Sequence, residues 1–179
     1  MTIASYISVS RILLIFPILL LTYYQNEFYN WISLAIFIFA GITDYLDGYI
    51  ARKTNTESSL GALLDLLADK LLVCIVLLWL AFLSNSLYLI FPTIIIISRE
   101  LAVSSLRRFI VEKVGKNPIK VTYIAKSKTT MQFVAISFLI LSPHMGLVFN
   151  NITILLVVLS ALISLYSLKN YLDLYKKYF

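Results

Sequence analysis

The chain has 179 residues, of which 60% are hydrophobic and 13% are charged. A soluble domain is nearer half apolar and a quarter charged, and a chain this short cannot bury such an excess in a core. The composition therefore argues against a soluble enzyme, a disordered chain and, with one cysteine, a disulfide scaffold. It predicts an all-α, polytopic membrane protein built as a single domain over residues 1–179.

Six apolar stretches come close to the roughly 20 residues that a helix needs to cross the bilayer core. In chain order they cover residues 10–24, 31–43, 63–83, 87–98, 130–142 and 147–168. The second, fourth and fifth stretches are short. We therefore expect their helices to continue through the more polar residues that adjoin them, giving six transmembrane helices.

The basic residues are segregated. The connections 25–30, 84–86 and 143–151 contain no Lys or Arg, whereas all 15 basic residues lie on the other side or at the helix ends that face it. Such a bias predicts that this side and both termini are cytoplasmic. The net charge of +6 is then a signal of membrane orientation, and nucleic acid is not an expected partner. A short chain without a transit peptide favours the bacterial inner membrane.

Four aspartates, out of nine acidic residues in the chain, fall between positions 44 and 69. Asp44 and Asp47 are three apart at the end of the second stretch, and Asp65 and Asp69 are four apart at the start of the third, so each pair shares a helix face. A loop of about a dozen residues would fold the two pairs together at the cytoplasmic membrane boundary. Acidic residues among apolar neighbours cost a few kcal/mol on insertion scales and usually mark function.

Converging carboxylates repel one another, and a divalent cation would relieve the repulsion. An all-oxygen ligand set favours Mg²⁺ or Mn²⁺ over Zn²⁺. Two such ions about 3.5–4 Å apart could clamp a diphosphate. Small residues lie beside the carboxylates, where a ligand could approach the backbone, and an arginine is placed to meet a phosphate: Gly48, Ala51, Gly61 and Arg52.

The pattern Asp44-x2-Asp47-Gly48-x2-Ala51-Arg52-x8-Gly61-x3-Asp65-x3-Asp69 resembles the signature of the CDP-alcohol phosphatidyltransferases. The resemblance implies an enzyme that binds CDP-diacylglycerol through its diphosphate and two metal ions, and a homodimer in the membrane. An alcohol attacks the lipid-side phosphorus and CMP leaves. It also implies that the four aspartates are metal ligands, that Asp69 is the general base, and that Gly48, Ala51, Arg52 and Gly61 shape the CDP site.

Basic residues further along the chain predict the acceptor. Arg99 and Arg107 are eight apart, close to one helix face, and Lys126 and Lys128 open the fifth stretch. Together they could form a basic pocket beside the metals, which implies an acceptor that carries its own phosphate. Anchoring to anionic lipid is the alternative, and we favour it for Lys113, Lys116 and Lys120.

The same segment resembles the branch of the family that makes phosphatidylglycerophosphate, whose acceptor is glycerol 3-phosphate. By that resemblance Arg99, Arg107, Lys126 and Lys128 hold the acceptor phosphate, and Thr43 lines the same site. Two departures from the branch pattern are visible. Ala125 stands where the branch has glycine, and the opening segment 4–11 lacks the usual Pro-Asn but keeps Arg11.

Other functions stay open. The same chemistry could use phosphatidylglycerol, as in cardiolipin synthesis, or an inositol phosphate. A metal transporter is disfavoured because all four aspartates lie at one membrane face with no polar path through the second and third stretches. A prenyl synthase would have denser aspartate motifs in a longer, largely soluble chain.

Overall fold

A computed structural model describes residues 3–54, 59–114 and 123–175. These residues form six α-helices joined by tight turns, one of which includes a short 3₁₀ segment, Ser142–His144. The helices are α1 (Ile3–Tyr23), α2 (Glu27–Thr54), α3 (Ser59–Ser84), α4 (Leu87–Val114), α5 (Tyr123–Leu141) and α6 (Gly146–Tyr175). The all-α prediction is confirmed for the described residues.

The three short apolar stretches continue as helix, as predicted. α2 runs on to Thr54, α4 runs on to Val114, and α5 begins at Tyr123. The expected loop of a dozen residues between the two acidic pairs is wrong, because helix occupies all of this interval except residues 55–58, which lie outside the described part of the chain. The acidic pairs are therefore carried on two long helices.

The helices pack as a closed ring in the order α1, α3, α4, α6, α5 and α2, and α3 also contacts α5 across the middle. Apolar side chains from all six helices meet in one core, among them Ile18, Phe37, Val76, Ile136 and Val157. Sequence neighbours α1 and α2, α3 and α4, and α5 and α6 are all adjacent in this ring, so the three connections between them are short.

The three connections without Lys or Arg meet at one end of the ring. A cavity of about 420 Å³ there is lined by residues from each of them, including Gln25, Ser86 and Pro143. Two of the turns are alike, because Gln25 and Asn85 both have positive φ angles (48° and 47°) within two residues of the end of a helix. The basic residues of α4 and α5 lie toward the other end, which we call the basic end.

The distribution of polarity is that of a membrane protein. Buried hydroxyls lie between the helices, as at Ser33, Thr93 and Ser160, whereas large apolar side chains such as Phe16 and Phe82 project outward. Hydroxyls and other small side chains at helix contacts allow close packing in lipid, where apolar burial between helices contributes little. The outward apolar surface would be unstable in water.

Four of the helices are long and apolar enough to cross a bilayer within the described residues. These segments are Tyr6–Tyr23, Leu63–Ser84, Leu87–Phe109 and Gly146–Asp173. The apolar part of α2, Glu27–Thr43, is shorter, and α5 has 19 residues. The structure thus supports a polytopic helical bundle with four clear spans, and the count of six spans stays a prediction.

A close contact joins α2 to α5 near the basic end. A Cβ atom on Gly41 would lie 2.2 Å from the Cζ atom of Phe133, and the Phe133 ring stacks on that of Phe37 with 4.3 Å between centroids. Glycine at position 41 therefore lets the aromatic ring pack directly on the α2 backbone. This packing forms one wall of the cavity described next.

Candidate active site

Two adjoining cavities lie at the basic end, and they share Asp69 and Thr129. The first has a volume of about 440 Å³ and mostly apolar walls from α2, α3 and α5, including Ile42, Leu72 and Phe133. We call it the apolar cavity. The second has a volume of about 240 Å³ and is lined mainly by charged and polar side chains of α3, α4, α5 and α6. We call it the basic cavity.

Asp65 and Asp69 lie one turn apart on α3, so the helix presents both carboxylates on one side. The Asp65 carboxylate accepts a hydrogen bond from Nη2 of Arg11 at 2.5 Å. Arg11 is almost fully buried (1% exposed), whereas the side chain of Asp65 is 45% exposed. The ion pair therefore fixes one edge of the Asp65 carboxylate and leaves the group accessible.

Arg11 was not among the predicted site residues, although it lies in the N-terminal segment 4–11, which was compared with the family pattern. An arginine within an apolar helix is itself a signal, because such a charge is stable only when it has a partner. The sequence does not reveal that partner, since Asp65 is 54 positions away. Arg11 also lines the apolar cavity together with Asp69.

Arg99 is buried (3% exposed) and is bound on several sides. Its Nε donates to the carbonyl oxygen of Ser164 at 3.1 Å, and its Nη2 donates to Oγ of Ser167 at 2.6 Å. Its Nη1 donates to Oε1 of Glu100 at 3.0 Å. The guanidinium is thus fixed between α4 and α6, at the wall of the basic cavity.

Glu100 bridges two buried cations. The same oxygen, Oε1, accepts hydrogen bonds from Arg99 and from Nζ of Lys128 on α5. Lys128 is about as buried as Arg99, with 5% of its side chain exposed. Without the carboxylate between them, two buried positive charges would lie side by side in a poorly solvated site.

Arg107 reaches the basic cavity two turns after Arg99, as the spacing predicted. Its Nη2 donates to the hydroxyl of Tyr171 at 2.5 Å, and its Cζ lies 5.3 Å from the centroid of the Tyr171 ring. Its Nε is buried and has no hydrogen-bond partner among the described residues. The structure therefore brings Arg99, Arg107 and Lys128 together around one cavity, beside Asp69.

Lys70 also lines the basic cavity. Its Nζ donates to Oγ of Ser104, which in turn donates to the carbonyl oxygen of Glu100 at 2.6 Å. The cavity wall holds four cations and two carboxylates, a net of two positive charges: Lys70, Arg99, Arg107, Lys128, Asp69 and Glu100. Such a site favours a doubly charged anion.

The predicted metal site is described in part. The side chains of Asp44 and Asp47 lie outside the described residues, as do those of Gly48, Ala51, Arg52 and Lys126. No group of three His, Cys, Asp or Glu side chains comes together in the part of the chain that is described. Asp65 and Asp69 offer oxygen donors of the kind that Mg²⁺ and Mn²⁺ prefer, so the two predicted ligands that the structure describes fit the predicted ions.

Two further predicted residues have defined positions. Gly61 is buried on α3, one turn before Asp65. The hydroxyl of Thr43 donates to the carbonyl oxygen of Ala40 at 2.8 Å, and Thr43 is not among the described residues that line the basic cavity. Its neighbours Gly41 and Ile42 line the apolar cavity instead.

The contribution of α6 was not predicted. Ser164, Ser167 and Tyr171 bind the two arginines, and Oγ of Ser164 also accepts from Nε2 of Gln132 at 3.3 Å. A signal was present, since these residues are three and four apart in an otherwise apolar helix and therefore share one face. The sequence does not show which helix packs against α4, so the residues that this face contacts could not be predicted.

Known proteins resemble this chain over most of its length. Residues 1–166 match the family model described as CDP-alcohol phosphatidyltransferase. Relatives from Salmonella typhimurium (strain LT2) and Escherichia coli (strain K12) are each 32% identical to this chain over 172 residues, which cover 93% of this chain and 93% of the relative. Both are named CDP-diacylglycerol–glycerol-3-phosphate 3-phosphatidyltransferase.

The first prediction concerns the bridging carboxylate. Glu100→Gln removes the negative charge between Arg99 and Lys128 while keeping the size of the side chain. Because breaking a buried ion pair leaves an uncompensated charge, we expect the free energy of unfolding to fall by about 3 kcal/mol or more. Thermal unfolding of the purified protein in detergent measures the loss.

Glu112→Gln is the matched control. Glu112 lies on the same helix and pairs with Arg108 at 3.2 Å, but both side chains are well exposed (64% and 85%). An exposed pair contributes about 0.3–0.5 kcal/mol, so this variant should unfold close to the wild-type temperature. Equal stability of the two variants would contradict the bridging role of Glu100.

Proposed function

We propose that the protein is a CDP-diacylglycerol–glycerol-3-phosphate 3-phosphatidyltransferase. The chain belongs to the CDP-alcohol phosphatidyltransferase family. The reaction transfers the phosphatidyl group of CDP-diacylglycerol to glycerol 3-phosphate, and the products are phosphatidylglycerophosphate and CMP. This is a step of phospholipid biosynthesis. The named relatives and the positively charged basic cavity beside Asp69 support the proposal.

The net charge of the basic cavity supports the choice of glycerol 3-phosphate as the acceptor. Its net of two positive charges matches a phosphate monoester, which carries about −1.5 to −2 at pH 7. Phosphatidylglycerol offers a singly charged diester and has no terminal phosphate. The volume of about 240 Å³ is also below the roughly 300–1,000 Å³ of pockets for drug-sized ligands, which favours a small acceptor.

The apolar cavity suits the lipid substrate. Its walls include Ile38 and Ile42, which are also exposed on the outside of the bundle (39% and 53%). CDP-diacylglycerol would reach the site from the bilayer by this route, with its diphosphate toward Asp65 and Asp69. In this arrangement Gly48, Ala51, Arg52 and Gly61 shape the nucleotide site, as the family resemblance implies.

Two divalent ions, Mg²⁺ or Mn²⁺, are part of the proposal. Asp44, Asp47, Asp65 and Asp69 would hold them, and Arg11 would orient Asp65 through its ion pair. When bound, such ions neutralise diphosphate charge and lower the pKa of a hydroxyl that approaches them.

The side chains of the chain itself position the reactants. Arg99, Arg107 and Lys128 bind the acceptor phosphate, which directs the glycerol hydroxyl toward Asp69 at the boundary of the two cavities. Asp69 accepts the hydroxyl proton as the oxygen bonds to the lipid-side phosphorus. The bond from that phosphorus to the bridging oxygen breaks, and CMP leaves with the electron pair. Positioning and charge neutralisation are the main requirements of such a transfer.

In this proposal the enzyme is a multi-pass protein of the bacterial inner membrane. The segregated charge supports a cytoplasmic location for the basic end and for both termini. A homodimer follows from the family resemblance and is proposed on that ground alone.

Release of CMP tests the function directly. Purified protein is incubated with CDP-diacylglycerol, Mg²⁺ and one acceptor at a time: glycerol 3-phosphate, phosphatidylglycerol or an inositol phosphate. We expect CMP release with glycerol 3-phosphate and a phosphatidylglycerophosphate product by mass spectrometry. Release with another acceptor and none with glycerol 3-phosphate would overturn the choice of acceptor while leaving the chemistry intact.

The second prediction concerns the general base. Asp69→Asn should lower kcat by at least about 10²-fold, in the range attributed to acid–base groups, and Asp65→Asn should do the same through loss of a metal ligand. Both variants should still insert in the membrane, as fractionation would show. The control Asp173→Asn changes an exposed aspartate of α6 and should keep wild-type turnover. Normal activity of Asp69→Asn would refute its role.

The third prediction separates the two substrates. Arg107→Ala should raise the KM for glycerol 3-phosphate about 10–100-fold, because a hydrogen bond to a charged group contributes about 1.5–3 kcal/mol. The KM for CDP-diacylglycerol should change little. Its sequence neighbour Arg108 is 85% exposed, so Arg108→Ala should leave both constants unchanged. Equal effects of Arg107→Ala on both substrates would place Arg107 outside the acceptor site.

A further inference from the structure

Two arginines of the basic cavity are anchored very differently. Arg99 has three hydrogen-bond partners, on α4 and α6. Arg107 has one within the described part of the chain, the hydroxyl of Tyr171. Because a long side chain loses rotamer freedom when it is fixed, the placement of Arg107 depends strongly on this one partner.

Tyr171 is itself rigidly placed. Its side chain is 5% exposed and packs in a small apolar cluster with Val103 and Leu106 of α4 and Leu168 of α6. The ring therefore cannot follow Arg107 if the arginine moves. It offers the guanidinium both an acceptor oxygen at 2.5 Å and a ring whose centroid lies 5.3 Å from Cζ, a distance at which cation–π attraction operates.

This anchoring leaves part of the guanidinium for an anion. Tyr171 binds Nη2, so Nη1 is not occupied by any hydrogen bond in the described residues. The buried Nε also lacks a hydrogen-bond partner among the residues that the structure describes, and an unsatisfied buried donor is destabilising. Negative charge in the cavity would offset that cost. An arginine held on one edge and open on another is arranged to receive a ligand.

We propose that Tyr171 is a positioning residue that holds the Arg107 guanidinium in place to bind the phosphate of the acceptor. The inference rests on the proposed function. It extends that function to the end of α6, because Tyr171 lies beyond residue 166, where the match to the family model ends. Tyr171 acts through Arg107 and does not touch the reacting atoms.

Tyr171→Phe tests the proposal, because it removes the hydroxyl and keeps the ring in its apolar cluster. We expect the KM for glycerol 3-phosphate to rise about 5–20-fold, near the lower limit for loss of one hydrogen bond to a charged group, because the arginine itself stays in the cavity. The kcat should stay within about twofold, and the KM for CDP-diacylglycerol should not change. Glycerol 3-phosphate should also protect the variant less than the wild type against thermal unfolding in detergent.

Tyr166→Phe is the matched control, since Tyr166 lies on the same helix and is 57% exposed. It should behave as wild type. In a double-mutant cycle, Tyr171→Phe should add nothing once Arg107 is replaced by alanine, because the tyrosine acts through that arginine. Additive effects, or equal losses in kcat and in both KM values, would show a structural role and overturn the proposal.

The activity of the wild-type protein shows whether a negative result concerns the role of Tyr171 or the proposed function itself. If it releases CMP with glycerol 3-phosphate but Tyr171→Phe has wild-type constants, the function stands and the positioning role is wrong. If the wild type gives no CMP with glycerol 3-phosphate, the acceptor assignment and the role of Tyr171 both fail.

Discussion

The basic end of this protein depends on one carboxylate. Glu100 joins buried cations from two helices, Arg99 beside it on α4 and Lys128 on α5. Charges in a membrane bundle are stable when they pair or face a polar cavity, and here they do both. Removing the carboxylate would leave two like charges in a site with few other anions. The ion pairs thus allow a cluster of positive charge to exist where apolar packing alone would exclude it.

Polar groups on α6 complete this arrangement. The carbonyl oxygen of Ser164 and the hydroxyls of Ser167 and Tyr171 contact α4. The outer face of α6 is apolar, as at Leu155 and Leu162. The hydrogen bonds of the polar groups fix the direction of each guanidinium, and the carboxylate of Glu100 adds one more hydrogen bond to Arg99 while balancing charge. Since α4 and α6 are neighbours in the ring, a helix without any motif residue of its own determines how the cationic residues are presented.

The sequence was sufficient for features that depend on spacing along one helix. The pairing of Asp65 with Asp69, and of Arg99 with Arg107, follows from helical periodicity, and the structure places both arginines with Lys128 at one cavity. Contacts between helices could not be predicted in this way. The Arg11–Asp65 pair and the Arg107–Tyr171 pair are separated by 54 and 64 positions, and they follow from the ring order of the helices. The predicted loop between the acidic pairs failed because propensity near a membrane boundary does not show where a helix ends.

Under the proposed function, the two cavities would let one small bundle bind substrates of opposite solubility. A lipid needs an apolar route from the bilayer, and a phosphorylated polyol needs a charged pocket reached from water. The walls of the two cavities meet at Asp69 and Thr129, so the proposed general base lies where the two proposed substrates would come into contact. The lipid would be held by its acyl chains, and the acceptor by its phosphate. The reacting hydroxyl and phosphorus would then have little freedom to move relative to each other, and this is how positioning lowers the barrier of such a reaction. The rigidity of the basic cavity is therefore a requirement of the chemistry as well as of the fold.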